Sequence, residues 1–264
     1  MNKKIWVAGL GYDGSAYQGW QRQENASSVQ ACVEQAVSIV AGHPVVVDCA
    51  GRTDAGVHAT AQVIRFFSSS NRRIDQWLMG VNTELPSAIR LQWVQSMDQD
   101  FHPRFQAIER TYRYIIYNAP ISPCFARHLI SWYFLPLDAV LMHQAAQYLV
   151  GEHDFSAFRG SDCQSKTPFR EVKAVSVRRE GSYLFIDICA NAFLHHMVRN
   201  IVGALLLVGQ LKREPQWLAE VLASRDRRQA GVTALPNGLY LVGVRYPSVY
   251  CLPSTPVMPG LLSF

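Results

Sequence analysis

The 264-residue sequence has no apolar run near the roughly 18 residues that a membrane-spanning helix needs. Lys3 and Lys4 stand near its start, but Gly9, Gly11, Asp13 and Gly14 interrupt the apolar stretch that a secretory signal would require. The expectation is a cytoplasmic protein. Cys32, Cys49, Cys124, Cys163, Cys189 and Cys251 are scattered, with no CxxC pair, which removes zinc-ribbon and disulfide-scaffold readings. There is no GxxxxGK[ST] loop and no GxSxG elbow, so phosphoryl-transfer and serine chemistry lose their usual carriers. Lysine is scarce as well: only Lys3, Lys4, Lys166, Lys173 and Lys212 occur.

What is present describes a folded protein. The hydrophobic set makes up 49% of the chain and charged residues 17%, neither disordered nor collagen-like in balance. The length suits one large domain or two of moderate size. The net charge is +5 and most basic residues are arginine, whose planar fork of donors matches phosphate and stacks on bases. That excess favours a polyanionic partner and is equally compatible with an ordinary basic enzyme.

The hydrophobic period changes along the chain in a definite order. Residues 5–12 read as a strand and 29–40 as an amphipathic helix, with Val29, Cys32, Val33, Ala36, Val37 and Val40 on one stripe behind Ser27 and Ser28. Strand-like runs follow at 45–49 and 62–67, a helix at 74–81 and a strand at 89–94. Strand, helix, strand, strand, helix, strand is the split βαβ order of ferredoxin-like folds. The second half repeats it more loosely: a strand at 111–117, a helix at 137–149, a hairpin of 172–177 with 183–190, helices at 194–208 and 217–222, and a strand at 239–244. Domain boundaries are expected at 1–107, 108–247 and an irregular proline-containing tail from 248 to 264.

Gly9-Leu10-Gly11-Tyr12-Asp13-Gly14 matches GxGxxG after a strand, but no helical stripe follows and no acidic residue ends a second strand ~20 residues on. A loop is the better reading than a dinucleotide site. His195 and His196 are adjacent and would leave a helix about 100° apart, whereas a zinc helix needs i,i+4 spacing; no metal site is expected. The sharpest segment is Gly51-Arg52-Thr53-Asp54-Ala55-Gly56-Val57-His58. Its two glycines can present Arg52 and Asp54 on one side of a compact loop, though an ordinary turn with Asp54 capping a backbone N–H has the same composition. Arg199 falls on the polar side of the strong second-half helix. Tyr112 and Tyr114 alternate with Arg113 on a strand, a pattern that serves base stacking or the core.

These segments together resemble the tRNA pseudouridine synthase A (TruA) family. Gly51 to His58 resembles its catalytic loop, and Tyr12-Asp13-Gly14 with Gly19-Trp20-Gln21-Arg22-Gln23 its N-terminal signature. Phe101-His102-Pro103-Arg104-Phe105 and Arg110 to Tyr114 resemble its central block. Asn191 to Asn200 and Gly238 to Leu241 are similar to its second-half helix start and last strand. The resemblance implies an α+β fold of two ferredoxin-like (RRM-like) halves, their sheets joined side by side around a basic cleft. It implies isomerisation of uridine to pseudouridine at positions 38 to 40 of the anticodon stem-loop of tRNA, by a homodimer with no cofactor and no metal. By resemblance Asp54 is the catalytic aspartate, acting on the sugar carbon, on C6 or on the 2′ proton. Arg199 is expected to pair with it, and Tyr112 to stack on the target base and assist proton movement. Arg52 and Leu239 would contact the substrate. A non-catalytic RNA-binding protein on an RRM-like sheet is the alternative.

Overall fold

The first strand, β1 (Lys4–Tyr12), is buried without interruption from Trp6 to Leu10, as a central strand should be. It pairs antiparallel with β3 (His58–Ser68) on one side and with β4 (Ile89–Met97) on the other. The short β2 (Val47–Cys49) pairs antiparallel with β3, giving the order β4-β1-β3-β2. These relations come from a computed structural model that describes residues 4–98 and 100–260. Helix α1 (Val29–Ala41) begins at Ser28, whose hydroxyl accepts from the Ala31 N–H, and ends at Gly42 in the left-handed conformation (φ 72°). Helix α2 (Ile74–Glu84) brings Trp77 against Trp6 and Phe66, with ring centroids 5.6 and 5.0 Å away. This aromatic cluster is the centre of the core here, and none of its rings is more than 4% exposed.

Gly9 and Gly11 lie inside β1 rather than in a loop. A Cβ on Gly9 would sit 2.1 Å from the indole of Trp93, so this glycine lets a tryptophan lie across the strand. Among the described residues no helix starts before Val29, so none follows Gly14 directly to offer its N-terminus to a pyrophosphate.

The chain divides into two compact units: residues through Ile108 together with those from Leu241 onward, and Glu109–Tyr240. In the second unit β5 (Glu109–Asn118) pairs antiparallel with β9 (Tyr183–Ala190), β9 with β8 (Phe169–Glu180), and β8 with β7 (Gly151–Asp154). The three-residue β6 (Ser131–Tyr133) runs parallel to the end of β5. Helix α3 (Ala139–Gln147) is capped by Asp138, which accepts from the N–H groups of Val140 and Leu141, and packs on β8 and on α4 (Met197–Gly209). Helix α4 buries Met197, Val198, Ile201, Val202 and Leu205 of the stripe its period predicts, but Leu206 of that stripe is only half-buried, and Asn200, Gly203, Ala204 and Val208 are buried as well. Helix α5 (Trp217–Ser224) follows, and the last strand, β10 (Leu239–Arg245), carries the chain back into the first unit after Tyr240. The protein is therefore α+β with mostly antiparallel pairing. No helix among the described residues is long and apolar enough to cross a membrane.

Candidate active site

The connection from β2 to β3 holds the segment that carries Asp54, and it is pinned from within. Thr53 is buried, and its Oγ1 lies 2.8 Å from the Tyr12 hydroxyl. Its carbonyl accepts from the Trp20 N–H at 3.0 Å, while Gln62 Nε2 donates to the Gly51 carbonyl at 2.7 Å. The Val57 N–H closes a turn on the Asp54 carbonyl at 3.1 Å, and the Gly56 N–H reaches the Tyr17 carbonyl at 3.3 Å. Fully buried His58 accepts the Gly14 N–H at Nδ1, 3.0 Å away. Asp13 Oδ1 lies 3.2 Å from the same nitrogen and also accepts from the Ser15 N–H and hydroxyl.

Two glycines make this cradle sterically possible. A Cβ on Gly14 would stand 2.0 Å from the Val57 carbonyl oxygen. Gly19 has φ +88°, and its Cβ would stand 2.6 Å from the Thr53 carbonyl oxygen. The residues between the anchors point the other way: Arg52 is exposed and Asp54 partly so. The loop thus carries a partly exposed carboxylate and an exposed guanidinium on a backbone tied down through the Gly51 and Thr53 carbonyls and the Gly56 N–H.

The second unit positions its candidates on regular elements. Tyr112 lies on β5, 9% exposed, with the Phe193 ring edge-on at 5.0 Å. Tyr114, two residues on along the same face, is a core residue. Its hydroxyl donates to the Leu235 carbonyl at 2.8 Å and pairs with Ser131 Oγ, and burial pushes its pKa up to about 12. Arg113 makes two 2.7 Å bonds to the carboxylate of Asp187 and lies over the Phe185 ring. The sequence pattern of tyrosines with basic neighbours therefore resolves into one candidate, Tyr112, and two internal supports.

Helix α4 starts at Met197 rather than at residue 194. His196 adopts φ 60° at the cap, and the His195 and His196 rings stack with centroids 3.8 Å apart instead of diverging around a helix. Gly160 sits against both, its N–H donating to the His195 carbonyl at 2.8 Å. Arg199, half-buried on α4, donates from Nε to the Ala234 carbonyl at 2.8 Å, and the Ala234 N–H returns a bond to the Arg199 carbonyl. The same strand of chain presses so closely on the helix that a Cβ on Gly203 would stand 1.8 Å from the Val232 carbonyl oxygen. Leu239, 5% exposed, opens β10 directly after the turn at Pro236–Gly238.

Sequence reasoning missed the anchors beneath Arg199. Asn200 is fully buried; its amide donates to the Phe158 carbonyl at 2.8 Å and accepts from Arg227 Nη2 and Thr233 Oγ1. A polar residue beside the apolar stripe of α4 was the available signal. The pairing of Gly14 with Val57 and of Gly19 with Thr53 was also missed, although the surplus of glycine around Trp20 hinted at close approach.

Arg52 and Asp54 thus belong to the first unit, and Tyr112, Arg199 and Leu239 to the second. The family model described as tRNA pseudouridine synthase matches residues 10–106 and 145–247, which takes in all five of these positions except Tyr112. The chain belongs to this family. Its curated relatives narrow the likeness to one branch. It is 54% identical over 250 residues to the tRNA pseudouridine synthase A of Idiomarina loihiensis, covering 95% of this chain and 96% of the relative. It is 53% identical over 251 residues to that of Shewanella denitrificans, with 95% and 96% covered. It is 55% identical over 251 residues to that of Aeromonas hydrophila, with 95% and 93% covered.

Proposed function

We propose that this protein isomerises uridine to pseudouridine in the anticodon stem-loop of tRNA, at positions 38 to 40. The observation that carries the reading is the partly exposed Asp54 carboxylate on a loop whose other anchors all face inward, in a chain that belongs to the tRNA pseudouridine synthase family. The reaction breaks the N1–C1′ bond, turns the base and joins C1′ to C5; C5 loses a proton and N1 gains one, so composition is conserved and no redox partner is required. Asp54 supplies the nucleophile or base, by the logic of glycosidase carboxylates. Tyr112 and Arg199 complete the catalytic set. Arg52 and Leu239 contact the substrate, Arg52 at the space or phosphate of the extruded nucleotide. A base inside a stem must be swung out at a cost of a few kcal/mol, which contacts to the phosphate backbone offset.

Each unit is read as a ferredoxin-like half. In support, β4-β1-β3-β2 with α1 and α2 is that strand order, and β5-β9-β8 repeats β1-β3-β2. The working form is a homodimer in the cytoplasm, acting without cofactor or metal.

Release of tritium from tRNA labelled at uridine C5 tests the reading. Wild-type protein releases it, and Asp54→Asn releases it about a thousandfold more slowly, a loss on the scale of removing a positioned acid–base group. The melting temperature of Asp54→Asn stays close to that of wild type, because the loop is held by Thr53, Gly56 and His58. RNA binding by wild-type protein without any tritium release would make it a binding module and end the proposal.

A further inference from the structure

The segment Phe101 to Gln106 has no part in the chemistry above, yet it is built with care. Phe101 is fully buried, edge-on to Tyr246 and Tyr250 with both centroids at 5.0 Å. Its carbonyl accepts from Arg65 Nη1 at 2.6 Å, and the Pro103 carbonyl accepts from the Tyr246 hydroxyl at 2.8 Å. The His102 N–H donates to Gln106 Oε1, the Gln106 N–H returns a bond to the His102 carbonyl, and the Arg104 N–H donates to His102 Nδ1 at 3.2 Å. A loop so braced could have turned its apolar side chain inward. Instead Phe105 stands 74% exposed. The His102 ring lies 4.3 Å from it, centroid to centroid, and the Arg104 guanidinium 5.8 Å from its centroid.

This aromatic tip adjoins the catalytic loop. His102 Nε2 lies 3.9 Å from Asp48 Oδ1 on β2, whose last residue, Cys49, leads into the Asp54 loop. Neighbouring Arg65 is already bonded to Asp48 through Nε at 2.7 Å. The chemistry on offer is one rigid π face flanked by cations, which fits a nucleobase with its phosphate better than an apolar peptide.

We propose that Phe105, steadied by His102, is a stacking platform for an unpaired nucleotide flanking the reacting uridine, and that Arg104 holds that nucleotide's phosphate. The inference rests on the RNA substrate proposed above. A stack is sequence-tolerant, because every base presents a π face, while the adjacent cation makes the contact salt-dependent.

Anticodon stem-loop RNA carrying 2-aminopurine next to the target uridine reads the stack directly. Wild-type protein changes the probe's fluorescence on binding, and Phe105→Ala abolishes that change while raising KM about tenfold, within the range of one lost base–aromatic stack. Phe105→Trp restores both. Arg104→Ala lowers the slope of log Kd against log salt by about one. An exposed side chain leaves the fold unaltered, so melting temperatures report any variant that fails to fold. Wild-type tritium release combined with a Phe105→Ala protein of unchanged KM and probe signal overturns the platform and leaves the proposed activity standing. Absence of wild-type release overturns that activity and the platform together.

Discussion

Both units contain the order strand, helix, strand, strand, helix, the second with β6, β7 and α5 added to it, yet they carry their candidate residues at different places. In the first, the connection between the second and third strands of that series spans residues 50 to 57 and carries Arg52 and Asp54. In the second, the equivalent connection is Gly181 and Ser182, a turn with no chemistry to offer. Its candidates, Tyr112 and Arg199, ride on β5 and α4 instead. The longer connection offers exposed backbone on which side chains can be presented, which a two-residue turn does not. The longer loop cannot rely on periodic packing, so it is held by backbone contact with a second loop at Gly14 and Gly19. The residues on β5 and α4 inherit their positions from ladders and helix packing.

The contrast can be broken at the cradle. Gly14→Ala forces the Val57 carbonyl away from a Cβ that would stand 2.0 Å from it, and is expected to cost about 2–3 kcal/mol of stability, the range of overpacked positions. Activity falls with it, because Asp54 lies three residues before Val57; chemical denaturation and tritium release measure the two losses.

A smaller effect distinguishes one thiol in each unit. Burial pushes the Cys49 thiol up to about 12. Burial also acts to raise Cys163, but the N–H groups of His195 and Ser165 and the Arg159 guanidinium together bring it below its ordinary value. Iodoacetamide at mildly alkaline pH is therefore expected to alkylate Cys163 at least about tenfold faster than Cys49, since the thiolate is the nucleophile; peptide mass spectrometry over a time course decides it.

The short connection is the control. Gly181 has φ +55° with open space around its Cβ position, so Gly181→Ala should cost only about 1 kcal/mol and leave tritium release unchanged. A loss of activity there would mean that the β8–β9 turn matters after all.

The smallest expected effect concerns His102. Burial, followed by the charge of Arg65 and a lesser push from Arg104, holds its pKa below the ordinary 6.5, against the pull of Asp48. The unfolded chain then binds a proton at a pH where the folded chain does not. Stability from this group is complete above about 6.5 and declines as pH falls through the window below it. Melting temperatures of wild type and His102→Gln at pH 7.5 and 5.5 should diverge in that direction.

Much of the framework was legible because side-chain period is local. The stripe of α1 predicted a helix over 29–40, observed at Val29–Ala41, and the hairpin around Glu180 and Gly181 appears as β8 and β9. Two strands escaped: β6 is three residues long, and β7 reads Gly-Glu-His-Asp, with no alternation to detect. The start of α4 was read three residues early because Leu194 continues the apolar stripe, while the left-handed backbone of His196 that ends the preceding turn leaves no mark in the period. In the candidate site the Arg52–Asp54 loop was visible from its glycines, and Tyr114 could be told from Tyr112 only by the Ser131 and Leu235 groups that meet its hydroxyl.

The order of residues alone marked most of the strands and helices, and it set Asp54 between Gly51 and Gly56. Folding decided the rest: Gly14 and Gly19 stand under that loop, the chain from Leu241 joins the first unit, and Phe105 stays in solvent while Phe101 does not. Hydrophobic period is a property of neighbours in the chain, whereas close approach and exposure depend on residues tens to hundreds of positions away, which meet only once the backbone has folded.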